Sequence, residues 1–425
     1  MRDGTAGTRV RTLMIGLALG FAAWSAPALA QTPAEAAPAP APAPVPAPPP
    51  MAPPPPPMAA PSAVATEAKP PTSAEAMPAS RPEVLPPIDV GAWTRVGSMF
   101  QSGTDPSKLG DWHMDHALVE LHAGGKIHKK VGVTLNLVSD MLSLFNQPGS
   151  AMGEHGSYVA VEDAIISFDF MDEFHVWGGH LLVPVDRANA SGPFFMIPWN
   201  YPGFFAGVAA PLEGPSGRNN GVVVWGDIMG GKLTYLAGAF DNANVTTSPL
   251  FTGRLRLDLW DPEGGFWGNA SFFGDKDILS IGVGGQYQKN GSAPGTNWTD
   301  INLDVLVEKK LGGGSFVTGE AAYYHYGVAD TMISDTFYVL AAYATPTVGV
   351  GNIQPMVRYQ WEKTKGPGSV KPWNLDVAVS YLIKGPALRV LATYSHTDLT
   401  AAFAPMGTTF TTANSIQLGA QAIFF

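Results

Sequence analysis

From Asp89 onward the chain repeats one pattern, apolar residues alternating with polar or small ones at a period of two. In one run Ile353, Val357, Tyr359 and Trp361 fall on one face, with Gln354, Arg358 and Gln360 on the other. The same split sets Ile301, Leu303, Val305 and Val307 against Asn302, Asp304 and Glu308. It recurs with Leu375, Val377, Val379 and Tyr381 against Asn374, Asp376 and Ser380, and with Leu255, Leu257 and Leu259 against Arg254, Arg256 and Asp258. Successive side chains on a strand point to opposite faces, so each run reads as a strand with one apolar and one polar face. A single run describes any half-buried strand, and the argument rests on their number. Sixteen runs occur, at 89–100, 113–123, 126–139, 157–170, 173–183, 219–229, 231–241, 251–260, 278–289, 299–310, 313–326, 335–345, 349–363, 372–384, 387–397 and 413–425. Most reach the ~9–11 residues that a tilted membrane strand needs.

The connections carry independent information. One set is short and turn-like: Ala123-Gly124-Gly125, Met171-Asp172, Gly230-Gly231, Leu311 to Gly314, Thr345-Pro346-Thr347 and Gly385-Pro386. The other is long, at 140–156, 184–218 and 398–412. Short periplasmic turns, long external loops and an even strand count are the pattern of bacterial outer-membrane barrels. Asp261 to Asp277 is the exception, long on the short-turn side. Backbone groups in hydrocarbon must pair internally, so a sheet spans a bilayer only as a closed barrel, apolar outside and polar within. The expected fold is therefore all-β: a transmembrane antiparallel β-barrel of sixteen strands. Trp93, Trp112, Trp225, Trp260, Tyr323, Tyr324, Tyr343, Trp361, Trp373 and Tyr381 stand where interfacial girdles need amphipathic rings.

Closure requires Ser415–Phe425 to pair with the first strand. Its more apolar phase is Ile416, Leu418, Ala420, Ala422 and Phe424, leaving Phe425 in phase with Gln417, Gln421 and Ile423. Either a bulge near Ile423 shifts the phase or Phe425 turns inward at the rim.

The segment before Asp89 is different. Arg2, Arg9 and Arg11, the apolar run Leu13 to Trp24 and Ala28-Leu29-Ala30 predict an export signal over 1–30. Residues 31–88 hold more than half of the 39 prolines and predict a disordered, extended Pro/Ala-rich periplasmic linker able to reach the cell wall. The barrel domain is expected over 89–425, in the outer membrane of a Gram-negative bacterium and in contact with its lipids. Acidic and basic residues before Asp89 cancel, so the formal charge of −10 sits in the barrel and argues against nucleic-acid binding. Absence of cysteine removes thiol catalysis and thiolate metal sites.

Several patches resemble the phosphate-selective porin O and P family. They are Arg254 to Leu257, Trp260-Asp261-Pro262-Glu263-Gly264, Phe272-Phe273-Gly274 and Asp277 to Gln288. Tyr158 to Phe170, Val176-Trp177-Gly178-Gly179, Pro184 and the closing part from Asp376 to Gln421 are similar too. The resemblance implies a sixteen-stranded homotrimeric porin whose third external loop, here 184–218, folds inward.

That loop carries Phe194, Phe195, Trp199 and Tyr201 beside Asp186, Arg187, Glu213 and Arg218, and a solvated loop of this length rarely holds so many large apolar residues. It is expected to narrow the lumen; a stabilising plug or an external partner contact are the competing readings. An anion pore needs ladders of Arg and Lys. Expected lumen-lining cations are Lys130, Arg254, Arg256, Arg358 and Arg389, and they face Glu120, Asp163, Asp258, Asp304, Glu308, Glu320 and Asp376. The acidic excess predicts weak cation preference or general diffusion, and phosphate selectivity is not carried over from the resemblance.

Enzymatic readings lack support. Gly282-x-Gly284-Gly285 is a glycine-rich strand with no following helix, and no nucleophile with its base is recognisable. His113, His116, His122 and His128 lack the fixed spacing of known metal sites, so no metal or cofactor is expected. The expected function is a passive pore for ions and small hydrophilic solutes. The alternative is a structural or adhesion barrel with a closed lumen, whose Pro-rich arm or external loops bind a partner.

Overall fold

The computed structural model describes residues 87–102, 112–140, 159–203, 217–241, 248–327, 333–365, 369–398 and 412–424. The expected export signal, nearly all of the linker, the connections 141–158 and 399–411, Glu213 and Phe425 lie outside these residues.

Sixteen strands follow one another in chain order. The first eight are β1 (Ile88–Ser102), β2 (Trp112–His128), β3 (Val131–Asp140), β4 (Val159–Met171), β5 (Phe174–Leu182), β6 (Arg218–Ile228), β7 (Leu233–Phe240) and β8 (Leu250–Asp258). The others are β9 (Ile278–Ala293), β10 (Thr296–Gly312), β11 (Ser315–Tyr326), β12 (Ile333–Ala344), β13 (Asn352–Thr364), β14 (Trp373–Lys384), β15 (Leu388–Asp398) and β16 (Thr412–Phe424). Each pairs antiparallel with its neighbours, and β16 returns to β1 with Ala92 opposite Phe424 and Ser102 opposite Asn414, closing the barrel. A closed ring leaves no strand edge unpaired.

The alternation decides what faces where. On β14 the outward Val377 is 46 % exposed, whereas the inward Asp376 is 3 % exposed. Val357 and Tyr359 likewise point out while Arg358 and Gln360 are buried, and Leu255 and Leu257 point out while Arg254, Arg256 and Asp258 are buried. A sheet with its apolar face outward is the inverse of a soluble protein, and it requires an apolar solvent around the ring.

Three expectations are corrected. The first turn falls at Lys129-Lys130 rather than Ala123-Gly124-Gly125, because β2 runs on to His128. Gly125 serves close packing instead: a Cβ there would lie 2.9 Å from the Pro87 carbonyl oxygen. Lys130, expected on the lumen wall, is consequently an exposed turn residue, its ammonium 5.9 Å from the Phe170 ring centroid. Among the girdle aromatics, Trp260, Tyr323 and Tyr343 are exposed on the outer face, but Trp225 and Tyr324 are buried inside, and Trp93 shares their inward phase. In β16, register runs without a shift from Asn414 to Phe424, so no bulge resets the phase. Phe424 faces out and Ile423 faces in, packed with Phe194.

Candidate functional site: the barrel interior

After β5 the chain turns into the barrel and stays inside it from Val183 to Pro202. Asp186 caps a single helical turn, α1 (Arg187–Ser191), accepting a 2.9 Å hydrogen bond from the Asn189 amide; burial pushes its carboxyl pKa up. Irregular backbone in a confined space has carbonyls that no ladder satisfies, so their partners must come from side chains. The wall supplies them. Arg254 donates to the Val185 carbonyl at 3.1 Å, Arg389 to Ile197 at 3.2 Å, Arg95 to Trp199 at 2.6 Å and Arg358 to Asn200 at 2.9 Å. Thr252 and Gln421 hold the Pro184 and Phe194 carbonyls, each at 2.9 Å. Three arginines expected to line the lumen therefore fasten the infolded segment, and Arg358 is also paired with Asp376 at 2.7 Å.

Arg187 is the centre of a second set of contacts. Its five N–H groups reach Glu263 at 2.7 and 3.0 Å, Asp304 at 3.1 Å, Ser280 at 2.8 Å and the Asn269 carbonyl at 2.7 Å. Asp304 simultaneously takes a bidentate pair from Arg254 at 2.6 and 3.0 Å, and Arg256 lies 3.7 Å from Asp258. Burial alone would raise the Glu263 carboxyl pKa, but Arg187 and Arg256 outweigh it and hold it lowered.

Glu263 and Asn269 belong to the connection between β8 and β9, the long one on the short-turn side. Its length is explained because it too folds inward. Phe266 packs on Trp177 with ring centroids 4.6 Å apart, and the Gly268 amide donates to Ala190 at 3.3 Å. Glu308 accepts from Gly274, Ser271 and Thr318 at 2.7, 2.8 and 3.0 Å, anchoring this second insert rather than facing open space. Glu320 accepts from the Tyr338 hydroxyl at 2.7 Å. Segments entering from opposite ends thus meet at Arg187–Glu263 and fill the β5–β11 side.

The glycines make room for this. A Cβ on Gly284 would lie 1.9 Å from the Val185 carbonyl oxygen, which accounts for the glycine-rich strand. Gly97 and Gly419 pair across the β1–β16 junction, and the Trp199 ring lies flat against both, with Cβ atoms there placed 3.0 and 2.5 Å from it. The Arg95 guanidinium covers the ring at 3.8 Å from a centroid.

What remains open is a cavity of about 690 Å³ between the infolded segment and β1–β4. Trp93, Phe194, Phe195 and Trp267 line it together with Glu120, His122, Asn136, Glu162, Asp163 and Arg218. A β-bulge makes the acidic part. Asn136 pairs with Asp163 and Leu137 with Val161, so Glu162 is the extra residue and both carboxylates turn inward. Arg218 reaches them at 3.2 and 3.4 Å, while Glu120 has His122 at 3.5 Å. Of the loop residues, Asp186, Arg187, Phe194 and Trp199 are buried and Tyr201 is exposed; the side chain of Arg218, the first residue of β6, is buried in the wall. Arg95, Glu162 and Glu263 were not among the expected residues. Two successive acids in an alternating run were the legible sign of the bulge. Among the described residues no group of three or more His, Asp or Glu could hold a metal ion.

No family model and no curated protein matches the sequence. Solved structures do match in shape. OprB of Pseudomonas putida superposes with a TM-score of 0.53 at 11% identity, over 79% of this chain and 94% of that one. OmpF of Salmonella typhi, solved in complex with daunomycin, gives 0.50 at 11% over 79% and 97%. A loop-deletion mutant of OmpT, an outer membrane protein of Vibrio cholerae, gives 0.50 at 12% over 80% and 100%. The fold is that of the bacterial porins. Membership of the phosphate-selective branch finds no match, and in this porin fold Arg254, Arg358 and Arg389 are committed to backbone carbonyls.

Proposed function

We propose that this chain is a porin of a Gram-negative outer membrane, a water-filled channel for passive diffusion of ions and small hydrophilic solutes. Residues 183–203 constrict it, and the path runs beside β1–β4. The observation carrying this reading is the charged cavity left between the infolded segment and that wall, inside a closed barrel with an apolar exterior. Its carboxylates Glu120, Glu162 and Asp163 against Arg218 favour cations, and a confined low-dielectric passage amplifies such an imbalance. The proposal extends to a homotrimer embedded in outer-membrane lipids, with 31–88 reaching toward the cell wall; cross-linking in native membranes that traps only monomers would remove the trimer. Kinship with the phosphate-selective porins is kept as a resemblance without their selectivity.

A second reading, a structural barrel with a closed lumen, draws on the two inserts meeting at Arg187–Glu263. Planar-bilayer recording separates the two. The expected result is stepwise conductance in KCl with a reversal potential on the cation side. Insertion without steps would eliminate the channel, and an anion-side potential would eliminate the charge argument.

A further inference from the structure

The cavity beside β1–β4 is walled by chemistry beyond what passive diffusion requires. Trp93 stands directly opposite Glu120 across the β1–β2 pair. Its ring meets Phe194 and Phe195 edge-on at 5.2 and 5.5 Å, and Trp267 closes the far side 5.8 Å from the Arg218 guanidinium. Aromatic rings therefore converge on the same space as three buried carboxylates. Arg218 bridges two of those carboxylates, and the third, Glu120, has the His122 ring at 3.5 Å. An inorganic cation would use the carboxylates and gain little from the rings, which lack lone pairs to replace its hydration shell. A neutral solute would use the rings and leave the charge unmatched. An ammonium ion with an apolar body uses both, since aromatic faces attract cations and carboxylates complete the charge. About 690 Å³ also falls within the ~300–1,000 Å³ typical of small-molecule sites.

We propose that this cavity is a binding site for small organic ammonium ions bearing an aromatic or other apolar group, with Glu120 as the charge partner and Trp93 and Phe195 as the apolar walls. The inference deepens the channel reading and rests on it for transport alone; binding can be read separately.

The test uses the full chain, purified in detergent at low salt and titrated with benzyltrimethylammonium while tryptophan fluorescence is followed. A saturable change is expected for this cation and not for benzyl alcohol or benzoate, a comparison that needs no variant. Glu120→Gln should weaken the response about ten-fold, the loss of one close charge–charge contact to a cation that has no N–H to donate. Phe195→Leu should weaken it less. In KCl recordings the same cation should interrupt the current. Equal responses to the cation and the alcohol, or none to either, overturn the site. KCl conductance with no response to the cation overturns the site and leaves the channel; saturable cation-specific binding without conductance supports the site and overturns the channel.

Discussion

Arg187→Ala is expected to release the infolded segment and raise single-channel conductance above that of the unsubstituted protein. The guanidinium is fully buried and gives all five of its N–H groups, two of them to Glu263 on the second insert. Its removal leaves Glu263 buried beside the more distant Arg256, at 3.9 Å. Breaking one partner out of a buried ion pair costs about 3–5 kcal/mol. The barrel's ladders do not depend on this residue, so the loss falls on the two inserts, which separate and widen the interior. Arg187→Lys should lie between, because a point charge cannot reproduce the bidentate fork. Single-channel recording is the measurement, with limited proteolysis of 183–203 as a second readout. Unaltered conductance and unaltered protection in Arg187→Ala would show that the inserts stand without the clamp.

Gly419→Val should displace the Trp199 ring. The position faces inward, and the existing ring would be 2.5 Å from the new Cβ, well inside contact distance. Overpacking of this kind costs about 1–3 kcal/mol, and backbone on both sides of the junction holds Gly419 in place, so the ring is what moves. Displacement also loosens the Arg95 stack and its hydrogen bond to the Trp199 carbonyl. Near-ultraviolet circular dichroism should lose intensity, and current should become noisier. Ala420→Val, one residue on and exposed on the outer face, is the control and should change neither. A native spectrum in Gly419→Val would refute the seat.

The strands were legible because the physics that makes them is local. Period-two patterning alone places every run within a few residues of a strand, and it assigns Arg254, Asp304, Arg358 and Asp376 to the inner face. Glycine was the weak point. Gly124-Gly125 reads as a turn in sequence but lies within β2, where Gly125 marks a close backbone approach, and that one misreading moved Lys130 from the turn to the wall. The inward course of 183–203 was foreshadowed by Phe194 and Trp199, whose burial a solvated loop could not provide. The partners of the arginines were not legible: Arg254 to Val185 and Arg389 to Ile197 join residues about 70 and 190 positions apart, with nothing local to signal them. The second insert was visible only as a connection of the wrong length.

The Trp199 seat has a consequence for the order of events in assembly. One of its glycines lies on the first strand and the other on the last, so neither half presents a complete surface until the two ends of the barrel have met. The infolded segment cannot settle against that junction in a partly formed sheet. Its docking there becomes the interior's own checkpoint, passed only by a chain whose final strand is in place.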